Sequence, residues 1–183
     1  MTRPVILCVD DERIILSSLK AQLHNNLSAD FEIEVAESAE EALEIIHELN
    51  DKKVEVPVVI ADQIMPGMKG DELLGKIKIF SPQTLTIMLT GQASADAVGK
   101  AVNKAGLFRY LSKPWDEDDL ILTIQSAIDS YAHQKNLLKQ SSYQNVINQT
   151  LSLAISTLNF KQQITKALDY LVTVPCLNPP AQG

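Results

Sequence analysis

Short apolar runs alternate with amphipathic stretches over the first 130 residues, and this alternation restricts the fold more than any other feature. The apolar runs have the length of strands, and the stretches between them have apolar residues at helical spacing. The predicted strands cover residues 5–9, 31–35, 58–61, 85–89 and 108–111. The predicted helices cover residues 12–24, 38–49, 71–80 and 94–105, and a fifth begins at Asp116. Five such units in succession predict an α/β fold, a doubly wound parallel sheet with helices on both faces.

Polar residues follow four of the five predicted strands. In a doubly wound sheet the functional crevice lies beyond the carboxyl ends of the strands, so these positions are the first candidates for a site. If the four strands are neighbours, their polar residues converge on one rim. They are Asp10 and Asp11 after the first strand, Asp62 after the third, Thr90 after the fourth, and Lys113 after the fifth.

This set of side chains is suited to phosphoryl transfer. Clustered carboxylates repel one another unless a cation lies among them, and carboxylate oxygens are ligands that Mg²⁺ prefers. An aspartate can attack a phosphoryl group and form an aspartyl phosphate. The oxygens of that group then need donors or positive charge, which Thr90 and Lys113 can supply.

At these residues the sequence resembles a response-regulator receiver domain of two-component signalling. The resemblance runs from about residue 3 to residue 130 and consists of four pieces in order. They are Asp10-Asp11, the segment 58–70 (VVIADQIMPGMKG), Leu89-Thr90-Gly91, and the segment 110–115 (YLSKPW). The family implies a flavodoxin-like (βα)5 sheet with strand order 2-1-3-4-5, followed in this chain by a C-terminal helical extension.

The resemblance implies a role for each matching residue. Asp62 would be the phosphoacceptor. Asp11 would bind Mg²⁺ directly and Asp10 through water, while the main-chain carbonyl of Ile64 would be a further ligand.

The remaining positions would handle the phosphoryl group after transfer. Lys113 would pair with the acyl phosphate, and Lys113-Pro114 would be a cis peptide, which proline permits. Thr90 would move toward the phosphate, and Tyr110 would be an aromatic switch that rotates inward behind it.

The family also implies partners and a mode of action. The donor would be a phosphohistidine on a sensor histidine kinase or a phosphotransfer protein. Phosphorylation would act on the surface formed by the helix over 94–105, the fifth strand and the helix after it. Such a protein is a cytoplasmic phosphoacceptor that promotes its own phosphotransfer and dephosphorylation, and is not an enzyme with a separate substrate.

Other interpretations of the same residues stay open at this stage. Taken singly, the aspartates could be helix caps, Thr90 a turn residue and Tyr110 a packing residue of an edge strand. The chain could be an interaction module in which phosphorylation is vestigial and a dimeric helix carries the function. A phosphatase using an aspartate nucleophile would need a second acid two residues later, where this sequence has Ile64.

The segment beyond residue 130 differs from the body in charge and pattern. Residues 1–130 hold 12 Lys/Arg and 22 Asp/Glu, a net charge of −10, whereas residues 131–183 hold four Lys and one Asp, a net charge of +3. The acidic body argues against direct nucleic-acid binding, and no apolar run is long enough to span a membrane.

No glycine or proline occurs between Asp116 and Pro175, so the last helix can continue as one very long helix or as two helices broken near 140–145. We predict a receiver over 1–130, a helical extension over 131–172 and a tail over 173–183. A helix of this kind needs a partner. The partner is either a second copy, which would make a parallel or antiparallel homodimer, or the chain's own receiver. Its apolar stripe contains Leu151, Ala154, Leu158, Thr165, Leu168 and Val172, with Lys161 interrupting.

The end of the chain is similar to the opening of a GAF domain. From Ile164 a helix leads into a Leu-x-x-x-Pro-x-Leu segment, Leu171 to Leu177, after which a strand begins in that family. This similarity predicts that the sequence is part of a longer regulator.

Overall fold

The computed structural model of the protein describes residues 3–91 and 106–173. In these ranges there are five strands and four helices, labelled here in chain order. The strands are β1 (Val5–Val9), β2 (Glu32–Ala36), β3 (Val58–Asp62), β4 (Leu85–Thr90) and β5 (Arg109–Ser112). The helices are α1 (Arg13–Leu27), α2 (Ala39–Asp51), α3 (Gly70–Phe80) and α4 (Glu117–Thr173). The helix predicted over 94–105 lies outside the described residues.

The five strands form one parallel sheet in the order β2-β1-β3-β4-β5. This arrangement confirms the predicted doubly wound fold and its strand order. The chain crosses from β2 back past β1 to β3, so the order of the strands reverses between β1 and β3. Parallel strands end at the same edge of a sheet, so the carboxyl ends of β1, β3, β4 and β5 lie side by side. This edge is where ligands bind in sheets of this type.

Two buried clusters, one on each face of the sheet, form the core. Ile6, Cys8 and Ile60 face α1 and the first turns of α4, whereas Leu7 and Val59 face α2 and α3. All five residues of β1 and of β3 are buried, because helices cover both faces of these central strands. The β2 strand lies at the edge and is only partly buried: Ile33 and Ala36 are buried, Glu32 is exposed, and Glu34 and Val35 are intermediate.

The start of α2 resembles a capping box with one difference. The Ser38 hydroxyl accepts a hydrogen bond from the Glu41 backbone N–H at 3.1 Å, as expected for a capping box. The Glu41 carboxylate, however, accepts from the N–H of Glu37 at 2.7 Å instead of from that of Ser38. The cap therefore satisfies the Glu41 N–H, and the return bond is displaced by one residue to Glu37.

The last described helix, α4, runs without a break from Glu117 to Thr173. Of the two predicted alternatives, the structure therefore has the single long helix. Asp116 caps its beginning by accepting from the N–H groups of Asp118 and Asp119 at 3.0 and 3.2 Å. The chain divides into two compact units, Met1–Lys135 and Asn136–Gly183.

The GAF-like segment beyond Thr173 lies outside the described residues and stays a prediction. Within the described ranges, no helix is both long and apolar enough to cross a bilayer.

Candidate functional site

Two buried carboxylates share one ammonium group at the carboxyl edge of the sheet. The Nζ atom of Lys113 lies 2.6 Å from Asp10 Oδ2 and 2.6 Å from Asp62 Oδ1. Asp10 follows β1, Asp62 ends β3, and Lys113 follows β5. Three strand ends thus meet at one point although their residues are about 50 to 100 positions apart in sequence.

Backbone N–H groups hold both carboxylates in place. Asp10 Oδ1 accepts from the N–H of Glu12 at 2.9 Å, and Asp62 Oδ2 accepts from the N–H of Ile64 at 2.7 Å. Each carboxylate therefore has one oxygen on the loop that follows its strand and the other on Lys113. Since the loops anchor the carboxylates on one side, the oxygens near Lys113 are kept at a defined position.

The loop after β5 orients the lysine itself. The backbone N–H of Lys113 donates to the Thr90 carbonyl at 2.7 Å, which extends the β4–β5 pairing by one bond. The Lys113–Pro114 peptide bond is cis. The hydrogen bond to Thr90 places the root of the Lys113 side chain beside the carboxyl end of β4, and its Nζ reaches both carboxylates.

The site has oxygen donors of the kind that Mg²⁺ binds. Asp10 and Asp62 are buried together, the side chain of Asp11 is exposed beside them, and the side chain of Ile64 is 64% exposed. Over residues 3–91 and 106–173, no three His, Cys, Asp or Glu side chains are already gathered as a metal cluster. Mg²⁺ usually takes one or two protein carboxylates and keeps several waters, so the pair Asp10 and Asp62 with adjacent Asp11 fits this cation.

Burial and ion pairing act in opposite directions on the charged groups. Burial raises the pKa of Asp10 above its usual 3.8, and the hydrogen bond from Lys113 offsets only part of that increase. For Lys113, burial on its own would lower the pKa, but the hydrogen bonds and charges of Asp10 and Asp62 outweigh it, so that the pKa is raised. The lysine therefore stays charged at neutral pH, while the carboxylate of Asp10 is held in an unfavourable environment.

The raised pKa predicts that Asp10→Asn stabilises the fold. The folded state binds the Asp10 proton more tightly than the unfolded chain, so Asp10 lowers stability as pH rises above its unfolded pKa. In the variant, Lys113 keeps its pair with Asp62. At pH 7 we expect its free energy of unfolding in urea to exceed that of wild type by on the order of 1 kcal/mol. The difference should shrink toward pH 4. A less stable variant at pH 7 would mean that the Lys113–Asp10 attraction dominates.

A second cluster, next to the ion pairs, is centred on Gln63. The hydroxyl of Thr90 donates to Gln63 Oε1 at 2.8 Å, and the hydroxyl of Tyr110 donates to the same oxygen at 3.2 Å. The structure thus brings the two predicted switch residues to one acceptor. Sequence reasoning missed Gln63, although it directly follows the predicted phosphoacceptor and, in an extended chain, points to the opposite side from Asp62.

Sequence reasoning also missed why residue 70 is glycine. A Cβ atom at Gly70 would collide with the backbone carbonyl of Asp62, because α3 begins directly against the end of β3. The N–H of Gly70 donates to the Gln63 carbonyl at 3.2 Å. Gly70 therefore permits the loop 63–69 to fold back beside the candidate site. The available signal was the glycine itself, a residue used where two backbones approach closely.

Comparison with known proteins identifies the family. The family model described as "Response regulator receiver domain" matches residues 6–125, which is more than half of the chain. The chain belongs to the response-regulator receiver family. The receiver domain predicted from the four sequence pieces is thereby confirmed.

The curated relatives of this receiver are longer transcriptional regulators, and the chain matches one part of each. It is 30% identical over 132 residues to the hydrogenase transcriptional regulatory protein HoxA of Cupriavidus necator, covering 72% of this chain and 26% of that protein. It is 32% identical over 136 residues to the DNA-binding transcriptional regulator NtrC of Escherichia coli K12, covering 74% and 27%. The chain thus spans about a quarter of the length of these curated relatives.

Solved receivers match nearly over their whole length. The signal receiver domain of an HD domain-containing protein from Pseudomonas fluorescens Pf-5 is 33% identical, with a TM-score of 0.63, covering 72% of this chain and 99% of that one. A receiver domain protein from Clostridium thermocellum is also 33% identical, with a TM-score of 0.62, covering 74% and 98%. These matches support the receiver fold for the sheet unit.

Proposed function

We propose that this receiver accepts a phosphoryl group on Asp62 in a reaction that depends on Mg²⁺, with a histidine kinase or phosphotransfer protein as donor. The observation that carries the proposal is the placement of Asp62 beside Asp10 with Lys113 bridging the two carboxylates. The residues that would hold Mg²⁺ are Asp10, Asp11, Asp62 and the main-chain carbonyl of Ile64. When bound, Mg²⁺ would neutralise charge between the carboxylates and the incoming phosphoryl oxygens.

The chain's own groups account for the transfer step. A carboxylate oxygen of Asp62 forms a bond to phosphorus while the phosphorus–nitrogen bond of the phosphohistidine breaks, and the electron pair stays on the imidazole nitrogen. The Ile64 N–H holds one oxygen of Asp62 in position during attack. Lys113, whose raised pKa keeps it charged, supplies positive charge where the phosphoryl oxygens arrive. In this role the chain is a phosphoacceptor and has no substrate apart from itself and its donor.

Acetyl phosphate labelling tests the proposal without a cognate kinase. The full chain is incubated with acetyl phosphate in Mg²⁺ or in excess chelator, and its intact mass is measured. We expect a gain of one phosphoryl group in Mg²⁺ and little or none in chelator. Absence of labelling in both conditions, with the fold intact, would favour the alternative in which phosphorylation is vestigial.

The Gln63 cluster provides the first step of signal relay in this proposal. To reach a phosphoryl group on Asp62, the Thr90 hydroxyl has to leave Gln63 Oε1. Movement of Thr90 would change the surroundings of Tyr110, which shares that acceptor and belongs to β5. The relay surface would include β5 and the first turns of α4; its third part, residues 94–105, lies outside the described residues.

Removing the shared acceptor should favour the phosphorylated arrangement. In Gln63→Leu the unphosphorylated state loses the acceptor for Thr90 and Tyr110. With a net hydrogen bond worth about 1 kcal/mol, we expect beryllium fluoride, a stand-in for the phosphoryl group, to bind about fivefold more tightly. Calorimetric titration measures this, with Gln83→Leu, at the opposite end of β4, as control. Weaker binding by Gln63→Leu would show that Gln63 supports the phosphorylated state instead.

Self-association through α4 completes the proposal. In the unit Asn136–Gly183, the described large apolar residues are all well exposed, for example Leu153 at 69% and Phe160 at 62%. A lone helix of this kind is marginal in water, so a homodimer through α4 would cover these residues. Sedimentation of the full chain measures this state. The acidic sheet unit is not expected to bind nucleic acid directly, and the cytoplasm is the proposed location because the phosphate donors of this family act there.

A further inference from the structure

The unit Asn136–Gly183 has a stripe of residues at alternating three- and four-residue spacing on α4. We name it stripe one. Its described apolar members, such as Leu137, Ile147 and Leu151, are more than half exposed. Three-four spacing places residues on one side of a helix, where they form the seam between two helices. Stripe one consists of Leu137, Gln140, Gln144, Ile147, Leu151, Ala154, Leu158, Lys161, Thr165 and Leu168.

A second stripe runs beside the first with the same spacing, and we name it stripe two. Val146, Leu153 and Phe160 are more than half exposed, and Ile164 is 43% exposed. The two stripes together make the apolar side of α4 wider than the seam of one helix pair. Stripe two consists of Tyr143, Val146, Thr150, Leu153, Thr157, Phe160 and Ile164.

Stripe one has an unusual symmetry: it keeps the same order of polar and apolar residues when read backwards. The symmetry centre lies between Ser152 and Leu153. If an identical helix is laid antiparallel on this centre, every apolar residue faces an apolar one and every polar residue a polar one. The facing pairs are Leu137 with Leu168, Gln140 with Thr165, Gln144 with Lys161, Ile147 with Leu158, and Leu151 with Ala154.

Stripe two is palindromic in its order but not in its spacing, so its members do not face one another in the register of stripe one. Read in either direction, its order is apolar, apolar, polar, apolar, polar, apolar, apolar, with Leu153 at the centre. The register is therefore set by stripe one, whose five facing pairs all share one centre. We propose that residues 137–168 associate with the same segment of a second copy of this chain in antiparallel orientation, centred on residues 152 and 153.

Charge separates this arrangement from a parallel one. In a parallel pair in register, Lys161 would face Lys161 of the other copy within the seam, and two like charges there would repel. In the antiparallel pair Lys161 faces Gln144, whose amide oxygen can accept a hydrogen bond from the ammonium group. The antiparallel register therefore avoids the contact between the two Lys161 side chains that a parallel pair would have.

The rest of the segment favours an identical partner over a charged foreign one. Between residues 136 and 173 the charged residues are Lys139, Lys161, Lys166 and Asp169. Coiled-coil helices select different partners mainly through charges that flank the seam. Most positions that flank the seam are uncharged here. The flanking charges therefore neither repel an identical helix nor attract a helix of opposite charge.

Cysteine cross-linking tests the orientation, and it rests on the proposed self-association. The full chain carries Cys176→Ser, and buried Cys8 is retained. One protein then has Gln144→Cys and another has Lys161→Cys. These positions lie about 25 Å apart along a helix, far beyond the reach of a disulfide. The control proteins carry Ser142→Cys and Gln163→Cys. These two positions are symmetric about the same centre as 144 and 161, but they lie on the polar side of α4. Each protein is oxidised alone and in its matched mixture.

The antiparallel proposal expects a rapid disulfide between the 144 and 161 variants when mixed, and little cross-linking of either alone or of the control pair. Rapid disulfides within each single variant would overturn the orientation but leave self-association intact. Control proteins that cross-link as fast as the test pair would also overturn it, since random collision would then explain the products. A chain that sediments as a monomer and forms no disulfide would overturn both this inference and the proposed homodimer, while labelling of Asp62 tests the phosphoacceptor role separately.

Discussion

Asp62→Asn is expected to abolish the incorporation of phosphate from acetyl phosphate. Asparagine has nearly the same shape as aspartate, but its neutral amide cannot act as the nucleophile. Lys113 keeps its pair with Asp10, so the ammonium group stays neutralised in the variant. The loss of incorporation should therefore occur without loss of the fold, and intact mass and circular dichroism measure the two properties on the same sample.

A matched control makes this result specific. Asp71 is an exposed aspartate in the first turn of α3, nine positions from Asp62. Asp71→Asn makes the same chemical change in the same part of the chain and should label like wild type. Equal labelling of Asp62→Asn and wild type would place the phosphoryl group elsewhere and contradict the proposed role of Asp62.

Lys113→Met is expected to cause the largest loss of stability among the site variants. Methionine keeps much of the length of the side chain but removes the charge that two buried carboxylates share. Removing one partner of a buried ion pair typically costs about 3–5 kcal/mol, because the remaining charge is left unpaired. Urea unfolding at pH 7 measures this loss. Lys69→Met, in the exposed loop before α3, should change the free energy of unfolding by less than about 0.5 kcal/mol.

A double substitution shows whether carboxylate repulsion is the cause. If the cost of Lys113→Met comes from Asp10 and Asp62 facing each other without the ammonium, then adding Asp10→Asn should restore much of the lost stability. If the two substitutions instead add independently, the loss comes from packing of the lysine chain, and the electrostatic account of the site is wrong.

Much of the fold followed from local patterns in the sequence. The all-apolar run over 58–61 is typical of a central parallel strand because such strands are buried on both sides, and β1 proves to be buried in the same way as β3. The alternation of apolar residues with glutamates over 31–35 is typical of an exposed or edge strand, and β2 lies at the edge of the sheet. The boundaries were less certain: α1 extends to Leu27 where the pattern ended at residue 24, since a helix end depends on a few weak backbone contacts.

The charged residues of the site were predictable from the sequence, whereas the residues that act through contacts in the folded chain were missed. Asp10, Asp62 and Lys113 were found because charged residues at strand ends of a parallel sheet converge. Gln63 and Gly70 were missed because their roles arise from contacts with Thr90, Tyr110 and the Asp62 backbone, which only the folded chain brings together. The absence of helix-breaking residues left one long helix or two helices possible, and the structure has the single helix α4, whose partner no local pattern of the sequence identifies.

Mapping the phosphoryl group to a residue is the most direct test of the central claim. The labelled full chain is treated with borohydride, which reduces an aspartyl phosphate to homoserine, and its peptides are then sequenced by mass spectrometry. Phosphoryl transfer to Asp62 predicts homoserine at position 62 in the Mg²⁺ sample and none in the unlabelled control. Homoserine at Asp10 or Asp11 with unchanged aspartate at 62, or a labelled chain with no homoserine at all, would contradict it.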